Sequence, residues 1–302
     1  MEIWEILHIL LFFSCGIPLF IFGLYGVILL YYGKRGKKEQ KDKSEPGEDE
    51  KFEPCVSIIV PTHNEESIIS RRIENLLALG YSQEKLEIIF VDDSDDDTSD
   101  IIEEYSKKFS NIRLIKFRKR MGYSPCMIAG CKAANGEIIV FAEAGSFLDT
   151  QAIPYLIRNF KNPNIGVVTG KDVILNVNEE VGKSEDLYLK ILNFVRTAES
   201  NMDSTIYMKG EAAAVRKNLI KDLKDLERCP GTADTAIALF VRKKGYKVIY
   251  DPQVKFYEYA PLTRRERIHQ KVIRGANLIK VLLEFRSMFF KRKYGKFGTI
   301  TL

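Results

Sequence analysis

Two groups of polar residues follow short apolar runs in the sequence, and their residue types could bind a nucleotide or a metal ion. Pro61-Thr62-His63-Asn64-Glu65-Glu66 follows the run 56–60, and Asp92-Asp93-Ser94-Asp95-Asp96-Asp97-Thr98 follows the run 86–91. Carboxylates at a strand end can hydrogen-bond base and ribose groups, or hold a divalent cation that neutralises a diphosphate. The same residue types are common in turns and helix caps, and a solvated cap explains Asp95 to Asp97 equally well.

The elements that would position these groups are predicted to alternate between strand and helix. The predicted strands are 56–60, 86–91, 112–117 and 137–142, and the helices between them are 67–79, 98–109 and 127–134. Short, almost wholly apolar strands that alternate with helices indicate an α/β fold with a mostly parallel sheet and helices on both faces. Active-site residues are then expected at the C-terminal edge of the sheet, after Val91 and after Ala142.

The second half of the sequence is predicted to be less regular. Strands are predicted at 165–173 and 248–250, and helices at 186–202 and 235–244. From Arg264 to about Phe290, apolar and basic residues are mixed in one or two amphipathic helices. That composition is typical of helices that lie on an anionic membrane surface, and a helix packed on the domain with a solvated basic face is the alternative.

The N-terminal part of the sequence is predicted to anchor the chain in a membrane. Residues 6–32 carry no charged side chain, and a helix of this length is long enough to cross a bilayer core. Glu2 and Glu5 precede this run, and Lys34 and Arg35 follow it, so the remainder of the chain is expected in the cytoplasm. A secretory signal would carry its positive charge before a shorter apolar run. The predicted organisation is an anchor at 1–33, a charged linker at 34–53, an α/β domain at 54–260 and basic amphipathic helices at 261–302.

Charge and cysteine content exclude other classes of protein. The net charge is +5, but the basic excess lies after the first apolar run and near the C-terminus, with acidic clusters between. A nucleic-acid-binding protein would carry a basic face across its folded body, so we expect no nucleic-acid partner. The five cysteines form no CxxC pair and no zinc-like spacing with the histidines, which favours reduced thiols in a cytoplasmic compartment.

In combination, the motifs resemble those of family 2 glycosyltransferases. Val-Ser-Ile-Ile-Val-Pro-Thr-His-Asn-Glu-Glu and Ile-Ile-Phe-Val-Asp-Asp-Ser-Asp-Asp-Asp-Thr resemble the opening of the family. Further similar segments follow in the family's order, at 122–137, 210–216, 233–235, 244–248 and 270–275. The resemblance implies a GT-A fold, a nucleotide-sugar donor (most readily a UDP-sugar) and inversion at the anomeric carbon.

The resemblance also implies roles for individual residues. Asp234 matches the general base that removes the proton of the acceptor hydroxyl. Pro61, Thr62, Glu65 and Asp93 would surround the base and ribose. The segment Gln270-Lys-Val-Ile-Arg274-Gly275 is similar to the family's Gln-x-x-Arg-Trp. This similarity would place Gln270 and Arg274 near the diphosphate or the acceptor. Alternatively, Arg274 is one of the basic residues with which the amphipathic helix contacts the membrane surface. The implied donor-binding residues are therefore Pro61, Thr62, Glu65, Asp93, Glu143, Gln270 and Arg274.

The sequence departs from the family where a metal ion would bind. The family's Asp-x-Asp corresponds to Glu143-Ala144-Gly145, and glycine has no side chain with which to ligate Mg²⁺ or Mn²⁺. Glu143 would be the remaining metal ligand, so an Mg²⁺ or Mn²⁺ site here would have to recruit water, phosphate or another residue. Tyr123 stands where a lysine is common, and Ala233 replaces an acidic residue beside Asp234. Two explanations remain open. The enzyme uses Arg or Lys instead of the metal, or the chain is a degenerate member that binds a nucleotide or scaffolds another membrane transferase.

The function predicted from the sequence is transfer of a sugar, as in hexosyltransferases, to a lipid-linked or membrane-proximal acceptor in glycan or polysaccharide assembly. The expected partners are a nucleotide-sugar donor, that acceptor and membrane lipids. Nucleotidyl transfer to a sugar phosphate is a weaker alternative, because 61–66 is not the Gly-rich basic loop which that reaction usually employs.

Overall fold

In the computed structural model of the chain, residues 23–34, 52–220 and 233–301 are described. They form an eight-stranded sheet in the order β3-β2-β1-β4-β7-β6-β8-β5. The strands are β1 Val56–Thr62, β2 Leu86–Asp92, β3 Ile112–Lys116, β4 Ile138–Phe141, β5 Phe147–Leu148, β6 Ile165–Ile174, β7 Ala213–Arg216 and β8 Lys247–Glu258. The helices are α1 Ile69–Leu77, α2 Thr98–Lys108, α3 Tyr123–Ala133, α4 Ala152–Arg158, α5 Glu180–Met202, α6 Ala233–Lys243 and α7 Arg264–Glu284.

The sheet is mixed, so the prediction of a mostly parallel sheet is correct for β3, β2, β1 and β4 and for the pair β6 and β8, and wrong for β7 and β5. Strands β3, β2, β1 and β4 are parallel neighbours, as the alternation of strand and helix predicts. Strand β7 runs antiparallel to both β4 and β6, and β5 runs antiparallel to β8. These two short strands have too few residues for a clear apolar pattern, and the sequence analysis did not predict either.

Alternate residues of the central strands contribute to two hydrophobic layers, one on each face of the sheet. On one face, Ile59 of β1 packs in the same core as Met127 of α3 and Ile237 of α6. On the other face, Ile58 of β1 shares a core with Ile73 of α1. Because side chains alternate along a strand, the fully apolar sequence of β1 is explained by burial on both faces.

Close packing between α3 and the sheet depends on a glycine. A Cβ atom on Gly130 would stand 2.4 Å from Cγ2 of Ile59 and 3.2 Å from Cγ2 of Val91. Real Cβ atoms do not approach other atoms so closely, so any larger residue here would push α3 away from β1 and β2. The position of the first turn of α3, which carries Tyr123, therefore depends on this contact.

Several element boundaries differ from the sequence prediction. Helix α3 begins at Tyr123 rather than Met127, and α5 begins at Glu180 rather than Asp186. Strand β8 has 12 residues where only 248–250 was expected, because polar residues and Pro252 interrupt its pattern. The basic C-terminal segment forms one helix, α7, which ends at Glu284. Its N-terminus has a capping box in which Thr263 accepts a hydrogen bond from the backbone N–H of Glu266.

The predicted N-terminal anchor lies mostly outside the described residues. Residues 23–34 are helical, and Tyr25 Oη in this segment donates to Glu199 Oε1 of α5 at 2.7 Å. Across 23–34, 52–220 and 233–301, no helix has both the length and the apolar character needed to cross a bilayer. Residues 1–22 of the predicted anchor and 35–51 of the predicted linker fall outside these ranges.

Candidate active site

Two cavities adjoin at the C-terminal edge of the sheet, where the sequence places the active site. The first, here called the strand-end cavity, has a volume of about 360 Å³ and is lined by Pro61, Thr62, His63, Glu65, Asp93 and Arg120, among others. The second, here called the Asp234 cavity, is also about 360 Å³ and is lined by Asp234, Lys209, Glu211, Tyr207 and Arg274, among others. Tyr123 and Glu143 line both cavities.

Asp92 has a structural role at the end of β2. Its carboxylate is fully buried and accepts hydrogen bonds of 2.6 Å from the hydroxyls of Thr62 and Ser94. The hydroxyl of Ser99 donates to its second oxygen. These bonds tie the ends of β1 and β2 to the start of α2, and they explain why Thr62 faces the strand end with its hydroxyl already engaged.

Asp93 fixes the loop that precedes α3. Its Oδ2 atom accepts hydrogen bonds from the backbone N–H groups of Met121 and Gly122, both at 2.7 Å. His63 Nδ1 lies 3.0 Å from the other oxygen. Burial opposes ionisation, but the two backbone donors and His63 outweigh it and lower the pKa of the Asp93 carboxyl. Asp93 lines the strand-end cavity, and its carboxylate also holds the turn at Gly122, whose φ is +88°.

The acidic run after Asp93 forms the turn that leads into α2. Asp96 accepts hydrogen bonds from the backbone N–H of Thr98 at 3.1 Å and from that of Glu66 at 3.3 Å. The N-cap residue of α2 is Asp97, whose side chain makes no capping hydrogen bond, so the bonds of Asp96 stabilise the turn before the helix. Glu65 lines the strand-end cavity, and burial together with Asp96 raises the pKa of its carboxyl.

Asp234 lies in the first turn of α6 and faces the second cavity. Its Oδ1 atom accepts a hydrogen bond from the backbone N–H of Thr235 at 2.8 Å. Burial, with a further contribution from the nearby Glu211 carboxylate, raises the pKa of Asp234 from 3.8 to about 6. A carboxylate of this basicity is ionised at pH 7 and accepts a proton more readily than an ordinary aspartate.

Glu143 lies at the junction of the two cavities. Burial and the neighbouring carboxylates of Glu211 and Asp234 raise the pKa of its carboxyl well above the ordinary value, although Lys209 and Arg274 oppose the shift. Tyr123 adjoins it, and burial followed by the charges of Glu143 and Asp234 raises the pKa of the phenol. Tyr123 therefore remains a neutral hydroxyl at physiological pH.

A buried cation beneath the Asp234 cavity is engaged by three carboxylates. Lys209 Nζ lies 2.8 Å from Asp172, 3.3 Å from Glu258 and 3.6 Å from Glu211. Burial alone would lower the pKa of the Lys209 ammonium, but these carboxylates outweigh it and raise the pKa well above the ordinary value. Arg196, which is almost wholly buried, also contacts Asp172, at 3.1 Å.

Arg274 differs from Lys209 because its guanidinium group is not engaged. Its side chain is exposed along the Asp234 cavity. Within the described parts of the chain, no hydrogen bond or ion pair joins Arg274 to another residue, although Glu211, Tyr207 and Glu258 lie near enough to raise its pKa against the partial desolvation of the guanidinium group. Gln270 lies one helical turn earlier and lines a neighbouring cavity that also contains Arg274 and Glu143.

The family's metal position offers a single carboxylate in this chain. Glu143 supplies one carboxylate, and Gly145 supplies no side chain. Among the residues that the structure describes, no group of three or more His, Cys, Asp or Glu side chains has the arrangement that holds a metal ion. A Cβ atom on Gly145 would have no heavy atom within 4 Å, so packing does not require glycine here. Gly145 therefore differs from the family's aspartate in lacking a carboxylate, and the space around it would accommodate a side chain.

The structure brings together most of the residues predicted from sequence, and it adds others. Pro61, Thr62, Glu65 and Asp93 share the strand-end cavity, and Glu143, Asp234 and Arg274 share the Asp234 cavity. Residues that the sequence analysis did not assign to the site also line it, namely His63, Arg120, Tyr207, Lys209, Glu211, Glu185 and Lys271. Lys209 and Glu211 could have been found, because two charges flank a glycine within the otherwise mostly apolar segment 206–215.

Comparison with known proteins places this arrangement in a family. The family model for glycosyl transferase family 2 matches residues 57–224, more than half of the chain. The chain belongs to glycosyltransferase family 2. The match covers β1 to β7 and includes the strand-end cavity and Glu143, whereas Asp234 and α7 lie beyond it.

Curated relatives of this family 2 chain include synthases of bacterial polysaccharides. The chain is 27% identical over 248 residues to the probable glycosyltransferase YdaM of Bacillus subtilis, covering 80% of this chain and 59% of that protein. It is 25% identical over 277 residues to the poly-beta-1,6-N-acetyl-D-glucosamine synthase of Staphylococcus aureus, covering 90% of this chain and 66% of that protein. The chain thus spans about three fifths to two thirds of the length of these relatives.

Solved structures show that this family 2 chain has a GT-A-like α/β fold. The mannosyltransferase PcManGT from Pyrobaculum calidifontis, in complex with GDP-Man and Mn²⁺, superposes with a TM-score of 0.70 and 24% identity, covering 89% of this chain and 74% of that one. The S. aureus TarS fragment 1–349 in complex with UDP-GlcNAc has a TM-score of 0.52 and 20% identity, covering 68% and 58%. At these identities the similarity establishes the fold.

Proposed function

We propose that this chain transfers a sugar from a nucleotide-sugar donor to an acceptor hydroxyl, with Asp234 as the general base. The observation that carries the proposal is the pair of adjoining cavities at the C-terminal sheet edge. The strand-end cavity accommodates the nucleoside among Pro61, Glu65 and Asp93, and the Asp234 cavity accommodates the sugar. Membership of glycosyltransferase family 2 supports the same reaction class.

The reaction we propose is a single inverting displacement. The acceptor oxygen forms a bond to the anomeric carbon from the face opposite the diphosphate, while the bond between that carbon and the phosphate oxygen breaks. The bonding electrons leave with the nucleoside diphosphate, and the proton of the acceptor hydroxyl passes to Asp234. The raised pKa of the Asp234 carboxyl, about 6, suits this role, because the group is ionised at pH 7 and is still basic enough to take a proton.

The donor we propose is a UDP-sugar. Structures of the related TarS contain UDP or UDP-GlcNAc, whereas PcManGT contains GDP-Man and Mn²⁺. Calorimetric titration of the purified full chain in detergent with UDP-, GDP- and dTDP-sugars, each with EDTA and then with Mn²⁺, tests this choice. Saturable binding of the UDP-sugars supports this choice, and binding of only the GDP- or dTDP-sugars would contradict it. A folded protein that binds none of these donors would contradict it.

The acceptor we propose is lipid-linked or close to a membrane surface. Large apolar side chains of α5 and α7 are exposed, including Leu187 and Ile191 on α5 and Ile268, Val272 and Ile279 on α7. Helix α7 also carries exposed basic residues such as Arg264 and Arg265. An exposed helix that combines apolar and basic residues is typical of attachment to an anionic bilayer surface. With residues 1–33 as the anchor, the catalytic domain would lie on the cytoplasmic side.

Vesicle binding tests the membrane part of the proposal. The chain, exchanged from detergent, is sedimented with vesicles of phosphatidylglycerol or of phosphatidylcholine. The double variant Ile268→Ser, Val272→Ser should bind phosphatidylglycerol vesicles more weakly than the wild type. The control variant Glu103→Ala, Lys107→Ala, which changes two exposed residues of α2, should bind as the wild type does. Equal binding of both variants would count against an interfacial role for α7.

The change at Gly145 favours a second candidate, a catalytically silent chain that binds a nucleotide and scaffolds another transferase. The two candidates differ in cells. Replacement of Asp234 with Asn abolishes glycan output if the chain is the enzyme and leaves it unchanged if the chain is a scaffold.

A further inference from the structure

The junction between the two cavities fixes where the donor's diphosphate must lie, given the proposed function. A nucleotide sugar with its nucleoside in the strand-end cavity and its anomeric carbon beside Asp234 has to cross from one cavity to the other. Tyr123 and Glu143 line both cavities and therefore border this crossing. The diphosphate is the part of the donor between nucleoside and sugar, so it lies at these two residues.

The side chain of Tyr123 is held at the junction by the structure around it. It follows Gly122, whose N–H is bound by Asp93 at 2.7 Å, and it begins α3, which packs closely on β1 at Gly130. Its hydroxyl lies 2.7 Å from the position that a Cβ atom on Gly210 would occupy. The phenol thus fills the space beside Gly210, close to Glu143 and Asp234, and presents a neutral O–H donor there.

Positive charge at the junction can come from Arg274. Lys209 is unsuited, because Asp172 and Glu258 already engage its ammonium group. Arg274 lines the Asp234 cavity and has no such partner among the described residues. Its planar guanidinium presents several N–H donors in a geometry that matches phosphate oxygens.

We propose that Tyr123 and Arg274 bind the donor's diphosphate in place of a divalent cation. Tyr123 donates its hydroxyl proton in a hydrogen bond to a phosphate oxygen, and Arg274 supplies the compensating positive charge. The unoccupied space at Gly145 marks where a metal-binding carboxylate is missing. Donor binding by this chain therefore does not require a metal ion.

Calorimetry with UDP and uridine tests the proposal, since only UDP carries a diphosphate. For the wild-type chain, the Kd of UDP with EDTA should agree with the Kd with Mn²⁺ to within about threefold, a difference of less than 1 kcal/mol. Tyr123→Phe removes one hydroxyl and should weaken UDP about tenfold, the value of a hydrogen bond to a charged group, without changing uridine. Arg274→Gln should weaken UDP by at least as much, again without changing uridine.

Matched variants separate these effects from general damage. Arg292→Gln removes an exposed arginine beyond the end of α7 that does not line either cavity, and should leave both affinities unchanged. Gly145→Asp restores a carboxylate in open space, and UDP binding by this variant should become stronger with Mn²⁺. UDP binding by the wild-type chain that becomes more than about tenfold stronger with Mn²⁺ would overturn the proposal.

The outcomes distinguish this inference from the proposed function on which it rests. If folded wild-type chain binds neither UDP nor GDP, the proposed function fails. If UDP binds, and binding depends on Mn²⁺ or is unaffected by both Tyr123→Phe and Arg274→Gln, only the assignment of the diphosphate site fails.

Discussion

The Nζ atom of Lys209 lies 2.8 Å from Oδ2 of Asp172, and both side chains are almost wholly excluded from solvent. This ion pair lies beneath the Asp234 cavity and joins β6 to the segment before β7. Because Glu258 on β8 and Arg196 on α5 also contact the pair, it connects elements that are distant in sequence. Lys209 is therefore a structural cation, unlike Arg274, which has no hydrogen bond or ion pair within the described residues.

Asp172→Asn should destabilise the fold strongly. The change leaves Lys209 and Arg196 buried without their shared carboxylate, and breaking a buried pair in this way costs about 3–5 kcal/mol. The control, Asp186→Asn, breaks an exposed pair with Lys190 on α5, where a loss of about 0–1 kcal/mol is expected. Urea denaturation of both variants measures the difference. Similar free energies of unfolding for the two would show that the Lys209 cluster is not structural.

The pH dependence of sugar transfer should follow the ionisation of the Asp234 carboxyl. A general base acts only when it is deprotonated, and burial raises the pKa of this carboxyl to about 6. The value of kcat/KM should therefore be constant above pH 7 and fall about tenfold per pH unit well below pH 6. Steady-state kinetics from pH 5 to 8 test this expectation. A profile that stays flat to pH 5 would mean that the base is an ordinary exposed carboxylate or another group.

Replacing each of two glycines with alanine should change the stability of the fold in opposite directions. A Cβ atom on Gly136 would stand 2.6 Å from the backbone N of Ser57, so Gly136→Ala forces β1 and the turn before β4 apart and should cost about 1–3 kcal/mol. Gly275 lies within α7, and its Cβ would meet no heavy atom within 4 Å, so Gly275→Ala should stabilise the helix by about 1 kcal/mol. Thermal unfolding of the two variants measures the difference, and a stabilised Gly136→Ala variant would contradict the close packing of Gly136 against β1.

The first half of the fold could be predicted because its signals are local. Each parallel strand is a short apolar run, and the polar residues that follow Val60 and Val91 must meet at one sheet edge. The resemblance to family 2 identified Asp234 and Arg274, which both line the second cavity.

The remainder depends on contacts between distant parts of the chain. In the sequence, nothing identifies Lys209 as a paired, buried cation, because its partners Asp172 and Glu258 lie on β6 and β8 and approach it only in the folded chain. The placement of Tyr123 beside Gly210 likewise requires β7 to run antiparallel between β4 and β6, which no local pattern predicts.

Sugar transfer by wild type and by Asp234→Asn, with the donor identified by calorimetry, tests most directly whether Asp234 is the general base. We expect Asp234→Asn to lower kcat about 10²- to 10⁴-fold, the usual contribution of a general base, with the Kd of the donor unchanged. Asp100→Asn, which alters an exposed carboxylate of α2 paired with Lys116, should transfer at the wild-type rate. Wild-type turnover by Asp234→Asn would contradict the assignment of the base and, with it, the proposed mechanism.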